Sequence, residues 1–172
     1  MGDQVILPTA YAAERWTDFG VGVAGASAAL AGLVFVAVSI NLSEILKYRN
    51  LPGRAGLTLL LFVTPLAVGI LLLVPGQSDA ALGSELLAAG LVIGGSQLVI
   101  NQRSGRSEKE TRWTWLMSRF LPPILSCGCL VLAGVTLLAQ AGGGLYWLVP
   151  GVLAAITFGL VNAWVLLVEI LR

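Results

Sequence analysis

Histidine is absent from this chain of 172 residues, and charged residues make up only 11% of it. Histidine is the commonest general base and a frequent metal ligand, so its absence removes the simplest route to acid–base or zinc chemistry. The sequence also lacks zinc-ligand spacing, a phosphate-binding glycine loop followed by Lys-Ser or Lys-Thr, and a Ser/His/Asp set. We therefore expect no enzymatic activity, no metal and no cofactor.

Cysteine is scarce as well, with only Cys127 and Cys129, which flank one glycine in an apolar run. Residues two apart on a helix point to nearly opposite sides, so these thiols cannot readily share an ion or form a disulfide. We interpret both as packed thiols, because free cysteine behaves as a small hydrophobe. Residues 1–15 lack a basic start and a short apolar core, so we expect no secretory signal peptide there.

Apolar sequence fills the rest of the chain. Hydrophobic residues make up 57% of it and the mean hydropathy is +0.89, whereas a soluble domain carries about a quarter charged residues. A helix of about 20 apolar residues is long enough to cross the hydrocarbon core of a bilayer. The sequence predicts an all-α, polytopic transmembrane helix bundle that forms a single domain over residues 1–172. Its five predicted spans cover about 17–46, 56–74, 80–101, 124–140 and 146–171, with a polar loop at about 102–119.

Proline and glycine mark the connections between these spans. Pro52-Gly53 predicts a turn before span two, and the segment 75–79 predicts a tight polar turn before span three. Pro122-Pro123 predicts a kink or break at the entry to span four, and three glycines at 142–144 predict the last turn. Ser107-x-x-Glu110 matches a capping box and predicts the start of a short helix.

Basic residues are concentrated at one end of the predicted bundle. With five spans, nine of the ten lysines and arginines fall on one side, and only Arg15 falls on the other. Positive charge favours the cytoplasmic side of a membrane. We therefore expect the N-terminus outside and the C-terminus in the cytoplasm of a bacterial inner membrane, with the lipid bilayer as a partner. Glu108 and Glu110 interrupt the basic loop, so we expect no nucleic-acid binding.

Span one is uncharged between Phe19 and Leu42 and is crowded with glycine and alanine. Small residues three or four apart let two helices approach closely in a membrane. The pattern predicts that span one is a packing centre, that spans one, three and five lie inside the bundle, and that leucine-rich span two faces lipid. The predicted packing positions are Ala24 and Ala29 on span one, Gly90 and Gly94 on span three, and Gly151, Ala155, Gly159 and Ala163 on span five.

Four amide side chains lie in the predicted cytoplasmic half of spans one, three and five: Asn41, Gln97, Asn101 and Asn162. Amides in hydrocarbon usually face the bundle interior or water. One interpretation is that they form hydrogen bonds between helices, each contributing about 0.6 kcal/mol. The other is that they line a vestibule for an ion or small solute that opens to the cytoplasm.

A second candidate site is a stripe along span one with heptad-like spacing. Repeated around the axis of a homo-oligomer, it would form a narrow pore with an acidic outer ring and a hydrophobic constriction at Phe35. The alternative interpretation is a tight seam between helices. The stripe consists of Asp18, Val21, Gly25, Ala28, Gly32, Phe35 and Ser39.

Span one also carries two resemblances. The motif Trp16-x-x-Phe19, followed by Gly25-x-x-x-Ala29-Leu30-x-Gly32-Leu33-x-Phe35-Val36-Ala37-x-Ser39-Ile40-Asn41-Leu42, resembles a family of small bacterial polytopic membrane proteins, common in actinobacteria, which implies no particular activity. The shorter run Ser27-Ala28-x-Leu30-x-Gly32-x-x-x-Val36-Ala37 is similar to the pore-lining first helix of Orai calcium channels. In those channels the basic residues precede the helix, whereas here Lys47 and Arg49 follow it.

Together these patterns favour a homo-oligomeric membrane protein that acts as a channel or transporter for an ion or small solute. The alternative function is a non-catalytic scaffold or modulator of another membrane protein.

Overall fold

The computed structural model describes residues 9–48, 51–103 and 112–170, and these ranges contain helices and no strand. Three short 3-10 helices cover Thr9–Tyr11, Ala13–Trp16 and Gly144–Trp147. Five helices of the described chain are long and apolar enough to cross a membrane, which confirms the all-α, five-span fold. The orientation of the termini stays a prediction. The α-helices are α1 (Thr17–Ile40), α2 (Leu42–Lys47), α3 (Leu51–Leu72), α4 (Asp79–Arg103), α5 (Arg112–Leu138) and α6 (Leu148–Ile170).

The long helices form a four-helix bundle with one helix attached outside it. Helix α3 packs against α4, α4 against α5, α5 against α6, and α6 back against α3. Helix α1 packs along α3 and makes only slight contact with α6. One face of α1 is therefore held by α3, and the other face belongs to the outer surface of the molecule.

The predicted ranking of the helices by small residues is wrong. Within the apolar stretch of 18 residues that qualifies each helix as a span, half of the α3 residues are buried, against 11% of the α1 residues. Helix α5 is buried as much as α3, while α4 and α6 are buried to 28%. Lipid tails are as apolar as leucine, so a leucine-rich helix gains nothing by facing lipid. Small residues show that a helix can approach another closely. They do not show on which side of that helix the bundle lies.

Three of the predicted connections differ from the structure. Span one ends at Ile40, and after Asn41 the chain continues as the short helix α2. Pro52-Gly53 lies in the first turn of α3, where a proline lacks an N–H that would be unpaired in any case. Helix α5 continues through Pro122 and Pro123, so of the predicted kink or break the break is absent, and the kink stays a prediction.

Two turns agree with the sequence. Residues 73–78 connect α3 to α4, with Gly76 at φ 67°. Gly142, Gly143 and Gly144 all have positive φ, which L-residues with a side chain rarely adopt. The capping box Ser107-x-x-Glu110 lies outside the described residues.

The segment before α1 is attached to the turn between α5 and α6. The backbone N–H of Gly143 donates to the hydroxyl of Tyr11 over 3.2 Å. The Trp16 indole donates to the Thr9 carbonyl over 2.9 Å, and its ring meets that of Tyr146 edge to face at 5.3 Å. The segment just before α1 is thus held to the 3-10 helix Gly144–Trp147 that precedes α6, although α1 and α6 barely touch along their length.

Candidate functional site

The inner face of α1 is built for close contact with α3. A Cβ atom added to Gly69 would lie 2.7 Å from the backbone nitrogen of Ala24, and one added to Gly20 would lie 3.1 Å from the Leu72 Cβ. Val23 and Ser27 are buried on this same side. Two backbones meet here because glycine leaves room for them. Ala24 therefore lies in a helix contact, and its partner is Gly69 on the leucine-rich span.

The candidate pore stripe lies on the rest of α1, away from the bundle. Among its apolar members, Phe35 is 61% exposed and Val21 is 57% exposed. Added Cβ atoms at Gly25 and Gly32 would meet no atom within 4 Å. Every member of the stripe is exposed within the single chain: Asp18, Val21, Gly25, Ala28, Gly32, Phe35 and Ser39. Ala29, a predicted packing position, is exposed beside them.

Polar groups of this stripe occur only at its two ends. Asp18 lies in the first turn of α1 and forms no ion pair with a described residue. At the other end the Ser39 hydroxyl donates to the Phe35 carbonyl over 2.8 Å, so it bonds its own helix. Between them the stripe presents only hydrocarbon and glycine backbone. A ring of such helices would have a charged mouth and a dry middle.

The four amides are not in equivalent environments. Gln97 is only 1% exposed, and its Nε2 lies 3.5 Å from the Thr64 hydroxyl of α3, which is a link between helices. The Asn41 amide donates instead to the Ala37 carbonyl of its own chain segment over 2.9 Å. Asn101 is buried near the end of α4, and Asn162 is half-buried on α6. Gln97 has the geometry of the cross-linking alternative, and Asn41 serves to end α1.

A crevice of about 230 Å³ lies at the opposite end of the bundle from these amides. It is lined by the turn between α3 and α4, including Val74 and Gln77, and by Glu14 and Thr17 just before and at the start of α1. The Thr17 hydroxyl donates to the Glu14 carbonyl over 2.9 Å. This crevice therefore forms no part of a vestibule at the amide end.

The remaining predicted packing positions lie on α4 and α6. Gly90 and Gly94 of α4 lie against α5, where added Cβ atoms would come within 2.9 Å of Val131 and 3.0 Å of Cys127. Gly151 of α6 lies against Cys129, and Gly159 lies against the Phe62 ring, at 2.9 and 2.7 Å. Ala155 is fully buried and Ala163 is half-buried.

Several close contacts involve residues that the sequence analysis did not select. An added Cβ at Gly134 would lie 2.6 Å from the Gly83 carbonyl, so these two glycines join α4 and α5. Gly83 precedes Gly90 by seven residues, which places both on one helix face, and this spacing was a usable signal. Gly20 has no glycine seven residues away, and the glycine seven residues after Gly69, Gly76, lies in the turn beyond α3.

The α1–α3 contact also contains an unpaired hydroxyl. Ser27 is fully buried, and its Oγ has no hydrogen-bond partner. Continuing the antiparallel register of Gly20 with Leu72 and Ala24 with Gly69 places Ser27 at the level of Pro65. A proline inside a helix leaves the carbonyl four residues before it without its usual donor. The carbonyl that Pro65 leaves unpaired thus lies on the side of α3 that α1 covers.

Comparison with protein-family models, with curated proteins and with solved structures finds no match for this chain. The resemblance to small bacterial membrane proteins therefore stays a prediction. Five long apolar helices, four in a bundle and α1 attached to it, with apolar side chains on the outer surface, have the architecture of a multi-pass membrane protein.

Proposed function

We propose that this protein is a small channel or transporter for an ion or small solute in a bacterial inner membrane, and that it works as a homo-oligomer. The observation that carries the proposal is the position of α1. The helix is attached to the outside of a four-helix bundle, and its whole candidate stripe is turned away from that bundle. Copies arranged around an axis with α1 innermost would bring these stripes together.

The chemistry of the stripe suits a gated pore. A ring of Asp18 carboxylates at the mouth would favour cations over anions, because acidic rings attract cations and repel anions. The following residues carry no charge as far as Leu42. A hydrophobic constriction gates by expelling water, and Phe35 is the bulkiest side chain of the stripe. In this arrangement the pore is closed unless the constriction becomes wet.

The test is ion flux through purified protein reconstituted in liposomes, followed by quenching of a dye that responds to cation entry. Phe35→Ser should increase the flux above that of the wild type, because a hydroxyl lets water stay at the constriction. Val161→Ser on α6 is the matched control, since Val161 is 54% exposed and Phe35 is 61% exposed. It should leave the flux at the wild-type level.

Absence of flux from both the wild type and Phe35→Ser, with the oligomer intact, would exclude the channel. Equal leakage from Phe35→Ser and Val161→Ser would also contradict it, since general loosening of the fold would then explain the flux. Asn162→Ala tests the vestibule. It should change the ion flux if the amide lines water, and it should change only the stability of the protein if the amide links helices.

The second candidate is a non-catalytic scaffold or modulator. It is favoured by Gln97, which is buried and bonded to Thr64 in the manner of a structural link. In a scaffold the exposed face of α1 would serve assembly alone.

A further inference from the structure

We infer that the crevice beside the turn between α3 and α4 binds a primary ammonium group, carried by a small amine or by the head group of an aminophospholipid. The crevice has a volume of about 230 Å³ and lies between residues 71–77, the segment that leads into α1, and Leu82 of α4. All of these residues belong to one subunit. The inference is therefore independent of assembly and of the proposed ion flux.

The end of α3 presents backbone carbonyls to this crevice. The carbonyls of Leu72 and Leu73 accept no hydrogen bond from any residue that the structure describes. Pro75 follows them and has no N–H to offer. Carbonyls at the C-terminal end of a helix also form the negative end of the helix dipole, which favours a cation. The crevice thus contains acceptors that need a donor with positive charge.

The polar side chains that line the crevice offer acceptors as well. Glu14 forms no ion pair with a described residue. The Thr17 hydroxyl donates to the Glu14 carbonyl over 2.9 Å, which leaves only its lone pairs for a ligand. Gln77 donates through Nε2 to the Glu85 carboxylate, so its amide oxygen stays available. Neither lysine nor arginine occurs among the described residues of the lining.

The surrounding charges have the same sign. Four carboxylates and one guanidinium lie at this end of the described chain: Glu14, Asp18, Asp79, Glu85 and Arg15. That guanidinium donates to the Thr9 hydroxyl over 3.3 Å. An excess of one charge around a cleft raises the local concentration of ions of the opposite charge. A cation is therefore favoured before it makes any contact.

The set of acceptors suits an ammonium group better than a metal ion. Glu14 supplies the only carboxylate of the lining, and the described residues contain no group of three side chains that could hold a metal. A primary ammonium group has three N–H donors, which matches two carbonyls and one carboxylate. The nearly fully buried side chains of Leu72 and Leu82 can contact an apolar body. The volume is several times the roughly 30 Å³ that one water occupies, so a small organic ligand fits.

Titration calorimetry of the purified protein in mild detergent tests the site, with the heat of the micelles alone subtracted. Butylammonium is the probe. Butanol has the same body without the charge, and butyltrimethylammonium has the charge without an N–H. Butylammonium should bind saturably and about tenfold more tightly than either, because hydrogen bonds to charged groups are the stronger ones. Equal affinity for the three probes, or no saturable binding, overturns the inference.

Two carboxylate variants locate the site. Glu14→Gln should lower the affinity for butylammonium about tenfold, because the ammonium group loses its ionic partner. Asp18→Asn is the matched control, since it removes the same charge from an exposed residue nearby that does not line the crevice. It should lower the affinity far less. Equal loss from both variants would show general attraction to an acidic surface and overturn the site. Displacement of butylammonium by calcium would overturn it in favour of a metal site.

Competition with lipid distinguishes the two sources of the ammonium group. Phosphatidylethanolamine added to the micelles should compete with butylammonium, and phosphatidylcholine should not, if the natural ligand is a head group. Competition by neither lipid assigns the site to a free amine. Equal competition by both lipids contradicts the inference, because the N–H donors would then have no part in binding.

Discussion

Gly69 of α3 and Ala24 of α1 lie so close that a Cβ added to Gly69 would be 2.7 Å from the Ala24 backbone nitrogen and 2.8 Å from its side chain. This contact, together with Gly20 against Leu72, attaches α1 to the bundle. Since α1 touches α6 only slightly, the position of the candidate stripe depends on this helix pair and on the contact of Trp16, just before α1, with Tyr146.

Gly69→Ala should therefore destabilise the protein, because two backbones would have to separate. Overpacking of this kind costs about 1–3 kcal/mol. The matched change is Gly95→Ala on α4, where nothing lies within 4 Å. Alanine is favoured over glycine in a helix by about 0.5–1 kcal/mol, so this variant should be unchanged or more stable. Thermal unfolding in one detergent compares them, and equal stability would show that Gly69 is not in contact with α1.

The orientation of the chain can be tested with single cysteines in a chain without Cys127 and Cys129. Gln77→Cys and Ala141→Cys should react with an impermeant thiol reagent from outside, and Tyr48→Cys should not. Ala141 is preferable to the adjacent glycines, because Gly142 and Gly143 have φ values of 88° and 112° that a cysteine rarely adopts. Reversed labelling would invert the topology, and labelling of 77 and 141 from different sides would change the number of spans.

The link between Gln97 and Thr64 should be measurable as a coupling energy. Gln97→Leu, Thr64→Val and the double variant form a cycle that isolates the contact. Hydrogen bonds between membrane helices average about 0.6 kcal/mol, so we expect a coupling of this size. Thr64 also donates to the Leu60 carbonyl over 2.8 Å, and the cycle cancels that separate loss. Zero coupling in denaturant unfolding would leave Gln97 without a role as a link.

Ser27→Ala should leave stability unchanged or raise it. The Ser27 hydroxyl is buried without a partner, and an unpaired buried hydroxyl costs about 1–3 kcal/mol. Thr64→Val is the comparison, because its hydroxyl is buried and bonded. If Ser27→Ala unfolds at a lower temperature than wild type, the hydroxyl has a donor role towards the carbonyl that Pro65 leaves free.

Much of the fold followed from the sequence alone. Five apolar segments of sufficient length and the scarcity of charge predicted an all-α membrane protein, because a membrane span must satisfy its backbone hydrogen bonds internally. The turns predicted at 75–79 and 142–144 followed from residues that tolerate positive φ, and the structure has the first of them at 73–78. The prolines were less informative, since Pro52 starts a helix and Pro122 and Pro123 continue one.

Tertiary structure alone decided which side of each helix meets the bundle. In water, burial follows apolarity, but in lipid an apolar side chain is equally stable against a tail or another helix. Leucine-rich α3 could therefore be central, and α1, rich in glycine, could lie at the edge with Gly25 and Gly32 in the open. Small residues allow two backbones to approach each other. Which backbone approaches depends on the shapes of all the helices together, as Gly69 against Ala24 illustrates.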